Sequence, residues 1–407
     1  MKRLFAILVT SGIAAACAQA QMPACGTDRL LQSIDAEAQA VQVDAILQKA
    51  IHESAGKQSG SIVIPTVFHI VYNSPQQDIP DSVIHRQMQI MNDDFQRRNA
   101  DTANTPTAFQ GMAGQMDITF CLAQQTPSGA STTGILHVPT NVAAFNSPTT
   151  YAVPDPVKHS NSGGSDAWDT EHYLNIWICN LNGSTAYSAP PGNFMPDDEG
   201  VVCKYQHVGL SNVYPYGRGR SIVHELGHYF CLKHIWGDDQ GGCTGTDFIG
   251  DTPNQSNYST NCPNFPLTDA CSPNAPGVMF MNYMDYSEDG CRNMFSAGQA
   301  SYMHACLTSL RPGFLTAQGC IPVVATQEPA APGMVLQQME STLELHSKAS
   351  PLATVRICNL GGQVLHSFQP QHQHLVRIPK SSLGNGLLII EATTENGVVQ
   401  RWKVPVW

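Results

Sequence analysis

This sequence has little charge: Lys, Arg, Asp and Glu make up only 13% of its 407 residues, and the basic kind is the scarcer, 21 against 32 acidic. The resulting net charge of -11 speaks against a nucleic-acid partner, because binding phosphate requires a basic face. Beyond the first twenty residues no apolar run approaches the roughly 20 residues needed to cross a bilayer, so no transmembrane segment is expected. Low charge combined with 42% apolar residues excludes a disordered chain and leaves length for two to four domains, each with its own core. What the sequence does hold is 33 glycines, 27 prolines and 13 cysteines, the composition of a loop-rich, disulfide-bearing extracellular protein.

The N-terminus, MKRLFAILVTSGIAAACAQAQ, has two basic residues, a short apolar run and small residues ending at Ala20. It reads as a signal peptide over 1–20, cut before Gln21 and too short for an anchor helix. Residues 21–57 are polar and helix-tolerant, a short pro-segment. SIVIPTVFHIVY, residues 61–72, predicts a buried strand. Ile84, Met88, Met91 and Phe95 recur at helical spacing behind an Asp81 or Ser82 cap. MDITFCLA and YLNIWICNL predict further strands; their Cys121 and Cys179 read as buried free thiols. The expected fold is mixed α/β (α+β) over 58–320, followed by a Pro/Ala-rich linker at 321–337. From 338 to 407, short alternating runs such as TLELHS, HLVRIP and LLIIEATT predict an all-β sandwich without helices.

The chemistry concentrates in HELGHYFCLKH, residues 224–234. A helix turns 100° per residue, so His224 and His228 share a face and can hold one cation. Two neutral imidazoles bind zinc at about 2.0 Å each, and Glu225 beside them can take a proton from the attacking water. A rival ligand set would replace His234 with Cys231, seven residues after His224. Helical rise places that position about 10.5 Å along the axis from His224, too far for a short side chain. The helix must therefore end near Cys231 and turn back to deliver His234. Glycine suits such a turn, whereas another L-residue costs about 1–2 kcal/mol there. Cys231 is expected to be a strained turn residue whose thiol points away from the metal, so that Cys231→Gly would add about 1 kcal/mol of stability.

About fifty residues on, NYMDYSEDGC places Met284, Asp285 and Tyr286. Together with HELGHYF, KHIWGDD, DTPNQ, MNYMDYSEDGCRNMFSAGQ and four closely spaced cysteines, this resembles the metzincin metalloproteases and, within them, the pappalysin family and its short bacterial members. The resemblance covers about residues 61–315 and departs from the family at Cys231. It implies zinc on His224, His228 and His234, Glu225 as general base, Met284 as a hydrophobic floor, and Tyr286 as a donor to the oxyanion. It also implies disulfides Cys243–Cys271 and Cys262–Cys291, and a calcium site in CTGTDFIGDTP from Asp247, Asp251 and Thr252. In the resembling bacterial enzymes an acid at the position of Asp289 floors the pocket for the residue after the scissile bond, which implies cleavage before Arg and Lys. Cys25, followed by glycine in PACGTDR, is similar to the cysteine switch of other metzincins, a thiolate that would block the zinc until the segment is cut near Gly56–Lys57. Asp28 or Arg29 would anchor that segment. The C-terminal unit resembles the sorting domain of type IX secretion cargo, implying a Gram-negative bacterium and export through the periplasm.

These features together describe a secreted zinc metalloendopeptidase made as a zymogen, acting on protein or peptide substrates. The competing description is a secreted surface-binding protein that keeps zinc but lost catalysis through Cys231.

Overall fold

A computed structural model describes residues 25–27, 30, 36–54, 61–150, 153–189, 196–239, 241–322, 333–339, 341–359, 363–384 and 386–406. The expected signal peptide, Asp28, Arg29 and the Gly56–Lys57 bond lie outside them. The chain divides into two compact units, 1–321 and 322–407.

The first unit is the expected mixed α/β fold. Its central strand β1 (Ile62–Tyr72) is buried almost throughout, as a parallel strand covered on both faces must be. Along one edge β1 pairs first with β2 (Ile118–Leu122) and then with β3 (Ile135–Pro139); along the other it pairs with β4 (Leu174–Cys179). The sheet runs β2-β1-β4-β6-β5, with β5 (Ala186–Ala189) as an antiparallel edge strand on β6 (Gly200–Lys204). Helix α1 (Ala36–Ser54) packs on α4 (Ala297–Leu310). Helix α2 (Asp81–Phe95) packs on β2, and α3 (Arg220–Tyr229) lies against β5 and β6, which brings its inner face to the sheet edge.

Helix α2 buries Ile84, Met88, Met91 and Phe95, but the expected side-chain cap is absent. Pro80 precedes the helix, and the Asp81 carboxylate accepts instead from His137 Nε2 at 2.8 Å. A second correction concerns Cys121, which is bonded to Cys320. Its strand runs beside the end of the unit, where Gln124 N–H donates to the Gly319 carbonyl at 2.7 Å, and local apolarity could not reveal a partner 199 residues away. Cys179 is buried and outside any disulfide. Burial pushes its thiol well above the ordinary range, so it is inert. Cys243 pairs with Cys271, and Cys262 with Cys291.

The second unit has a three-stranded sheet of β7 (Met334–Gln338), β8 (Thr342–Ser347) and β11 (Leu375–Pro379). A four-stranded sheet orders β10 (Val364–Phe368), β9 (Leu352–Asn359), β12 (Gly386–Thr394) and β13 (Val399–Val406). Leu343, Leu345, Val355, Ile357, Ile390 and Trp402 from the two sheets share one core. Residues 334–337, assigned above to the linker, belong with Gln338 to strand β7, because pairing with β8 buries Met334. No helix among the described residues is long and apolar enough to cross a membrane.

Candidate active site

Helix α3 is fully buried and is fixed at its start by charge. The Arg220 guanidinium donates to both oxygens of Asp94 at 3.1 Å, to Asp101 at 2.6 and 2.7 Å, and to the Asp289 carbonyl at 2.8 Å. These contacts pin the first turn to α2 and to the 285–293 loop.

Three imidazoles converge from α3 and the segment after it. His224 Nδ1 donates to the Tyr283 carbonyl at 2.6 Å, His228 Nδ1 to the Leu232 carbonyl at 2.8 Å, and His234 Nδ1 to the Asp238 carboxylate at 2.9 Å. Each partner is an acceptor, so each Nδ1 holds the proton and each Nε2 presents a lone pair. Those atoms face one another, His228 to His234 at 3.1 Å and His234 to His224 at 3.3 Å. Lone pairs at that spacing repel unless a cation lies among them, which is the donor set zinc takes. Burial and the neighbouring imidazoles hold His228 down to about 3 and His224 well below its ordinary value, keeping both neutral as ligands must be. His234 also stacks on Trp236, with ring centres 4.2 Å apart.

The chain reverses after α3 through Cys231, whose φ is +74°. Leu232 N–H donates to the Gly227 carbonyl and Cys231 N–H to the His228 carbonyl, each at 2.9 Å, which closes the helix in a Schellman motif. The expectation for Cys231 needs correction in one respect: its sulfur is bonded to Cys306 of α4. The residue is a covalent tie as well as a turn, and Cys231→Gly alone would lose the bond. Sequence could not reveal this, since Cys306 lies 75 residues on in a helix with no motif around it.

Below the histidines, a Cβ on Gly227 would overlap the Met284 sulfur, so helix and Met284 are in intimate contact. Tyr286 lies beside the ligands, its ring centre 5.0 Å from that of His234 and 5.6 Å from that of His224. Asp285, fully buried, accepts from Ser259 N–H at 2.7 Å and Gln255 Nε2 at 3.0 Å, which fixes the turn between them. Asp289 is buried with one oxygen on Arg292 and the other accepting from Arg218 N–H at 2.8 Å. In the 243–253 loop, Asp247 accepts from Thr252 Oγ1 at 2.7 Å, and burial pushes its carboxyl up to about 7. Asp251 turns instead to Ser296 Oγ at 2.6 Å and Gly298 N–H at 2.8 Å.

The segment around Cys25 enters the same cleft. Cys25 forms a parallel bridge with Ala186 of β5, and Gly26 N–H donates to the Ala186 carbonyl at 2.8 Å. One donor atom from each of Cys25, His224, His228 and His234 lies within 4.8 Å of the others. Gly26 has no room for a side chain, since a Cβ there would come within 2.8 Å of Ser184 Oγ and 3.2 Å of Tyr187 Cβ. Sequence reasoning missed Thr27. Its hydroxyl donates to Glu225 Oε2 at 2.8 Å and accepts from Ser188 N–H at 2.9 Å. The only signal for it was a hydroxyl two residues after the cysteine.

The M43 peptidase family model, described as pregnancy-associated plasma protein-A, matches residues 159–308. Mature mirolysin of Tannerella forsythia, solved with a cleaved peptide, is 46% identical, covering 63% of this chain and 97% of that one with a TM-score of 0.61. Promirolysin from the same organism, as an E225A mutant, is 41% identical, covering 72% and 97% with a TM-score of 0.63. An extracellular metalloprotease of Colletotrichum graminicola is 29% identical over 264 residues, 62% of this chain and 79% of that one. With that identity running through nearly the whole of mature mirolysin and a three-histidine cleft on the same fold, the chain belongs to the pappalysin (M43) family of metalloproteases.

Proposed function

We propose that this protein is a secreted zinc metalloendopeptidase, made latent and cutting proteins on the N-terminal side of Arg and Lys. The observation that carries the reading is the convergence of three Nε2 lone pairs at 3.1 and 3.3 Å beside a buried glutamate. His224, His228 and His234 would hold zinc, which would supply Lewis acidity for the scissile carbonyl and for activating a water. Glu225 takes a proton from the attacking water and returns it to the leaving amine. Tyr286 donates to the oxygen that gains charge, and Met284 supports the ligands from below. The edge of β5, which Cys25 and Gly26 cover in the uncut chain, would offer backbone groups to an extended peptide once that segment is removed.

Latency follows from the segment at 25–27. Its thiol lies with the three histidines as a fourth donor, and Thr27 engages the Glu225 carboxylate, so the place of the attacking water and the base would both be blocked. Cutting near Lys57 would free them. Preference for basic residues rests on Asp289, whose partnership with Arg292 means an incoming guanidinium would share or displace that contact. Peptide-library profiling of the mature form should show Arg and Lys after the cut. A flat profile at that position would remove Asp289 from specificity.

Calcium in the 243–253 loop is supported by the buried Asp247 carboxylate and the half-buried Thr252 hydroxyl beside it; Asp251 would have to turn toward them. The C-terminal sandwich is read as a sorting domain for type IX export through the periplasm of a Gram-negative bacterium.

Casein digestion by protein freed of residues 21–56, with and without a zinc chelator, tests the reading. Chelation should abolish cleavage. One zinc per chain with no cleavage of any protein would favour a surface-binding role instead.

A further inference from the structure

The chain reversal that delivers the third histidine is built on a disulfide. Cys231 sits at φ +74°, a conformation glycine takes freely and a Cβ opposes. The next residue, Leu232, accepts from His228 Nδ1 at 2.8 Å, and two residues later His234 Nε2 arrives 3.1 Å from His228 Nε2. Rotation of the backbone at Cys231 therefore shifts the anchor of one ligand and the position of another together.

The other half, Cys306, is fully buried in α4, a rigid base. That helix begins in a capping box between Ser296 and Gln299, and Gln299 Oε1 accepts from the buried Asn282 at 2.7 Å. Just beyond its end, Arg311 Nε donates to the Tyr229 carbonyl at 3.1 Å while its guanidinium lies 3.6 Å from the Tyr229 ring centre. Two struts thus run from α4 to the end of α3. Arg311 holds the last helical turn, and the disulfide holds the residue of positive φ.

We propose that the Cys231–Cys306 disulfide is a positioning element of the metal site. The covalent tie to α4 keeps Cys231 in the left-handed conformation and so holds His228 and His234 at ligand spacing, which glycine would do unaided. The proposal rests on the zinc reading above. Groups outside the ligand shell that orient the ligands typically change metal affinity about 10- to 100-fold, and an effect of that size is expected here.

The test compares zinc affinity by chelator competition in full-length protein carrying Glu225→Ala, so that every sample is the same uncut chain. Cys231→Ser/Cys306→Ser keeps a Cβ at the turn without the tie and should bind zinc about 10- to 100-fold more weakly while retaining its circular-dichroism spectrum. Cys231→Gly/Cys306→Ala also lacks the tie but relieves the turn, and should return to within about threefold of the parent. Cys306→Ala alone replaces the serine pair if that pair does not fold. Parental affinity in both pairs, or equal weakening in both, would overturn the proposal. Failure of the parent itself to bind one zinc would instead refute the zinc reading.

Discussion

Thr27 and Glu225 are joined by a 2.8 Å hydrogen bond, with the hydroxyl donating to the carboxylate that would otherwise meet the attacking water. The Thr27 hydroxyl oxygen also accepts from the Ser188 backbone N–H of the edge strand at 2.9 Å. One side chain therefore links the N-terminal segment to both Glu225 and the edge strand β5.

Thr27→Val removes that link at nearly constant volume. A hydrogen bond to a charged group contributes about 1.5–3 kcal/mol, so the uncut variant should open more often and mature at least about tenfold faster. N-terminal sequencing over time measures this. An unchanged rate would mean the hydroxyl plays no part in latency.

Cys25→Ala removes the fourth donor from the histidine cluster. Its uncut form should show residual peptidase activity and mature faster than the parent. Parental latency in this variant would place the block elsewhere.

The parts of the site legible in the sequence are those set by a short period. His224, His228 and Glu225 follow from 100° per residue, and the alternation in TLELHS and HLVRIP matches burial of Leu343, Leu345, Val376 and Ile378. The parts that escaped depend on contacts across long separations. Cys231 reaches Cys306, Cys121 reaches Cys320, and Thr27 reaches Glu225 across 198 residues. In each case a short polar or sulfur-bearing side chain gains its role only from the element folded against it. Asp81 failed as a cap for the same reason, since His137 competes for its carboxylate.

Gly227 leaves no space above the Met284 sulfur. Gly227→Ala should cost about 1–3 kcal/mol through overpacking, seen as a lower melting temperature. A variant as stable as the parent would show that Met284 yields freely.

Asp289 is bound to the fully buried Arg292. Asp289→Asn leaves that charge without its partner and should cost about 3–5 kcal/mol, most of it recovered by adding Arg292→Met. Urea unfolding separates the outcomes, and no recovery in the double variant would locate the loss in the hydrogen bonds to Arg218 and Arg220 instead.

Asp247, raised to about 7 in the folded chain, binds a proton there that the unfolded chain releases near pH 4. Its contribution to stability is therefore present at low pH and lost as pH rises through 7. The metal-stripped protein should have a lower urea midpoint at pH 8 than at pH 5, with the difference reduced in Asp247→Asn. Calcium at roughly millimolar levels should raise the pH 8 midpoint in the parent only. An identical pH dependence in both proteins would exclude Asp247 as its source.

The most direct measurement is peptide hydrolysis by chelator-stripped mature protein as zinc is added back. Activity should rise to a plateau at one zinc per chain, and Glu225→Ala should bind the same single zinc yet hydrolyse roughly 10²- to 10⁴-fold more slowly. Hydrolysis without zinc, or parental rates in Glu225→Ala, would contradict a metallopeptidase built on His224, His228, His234 and Glu225.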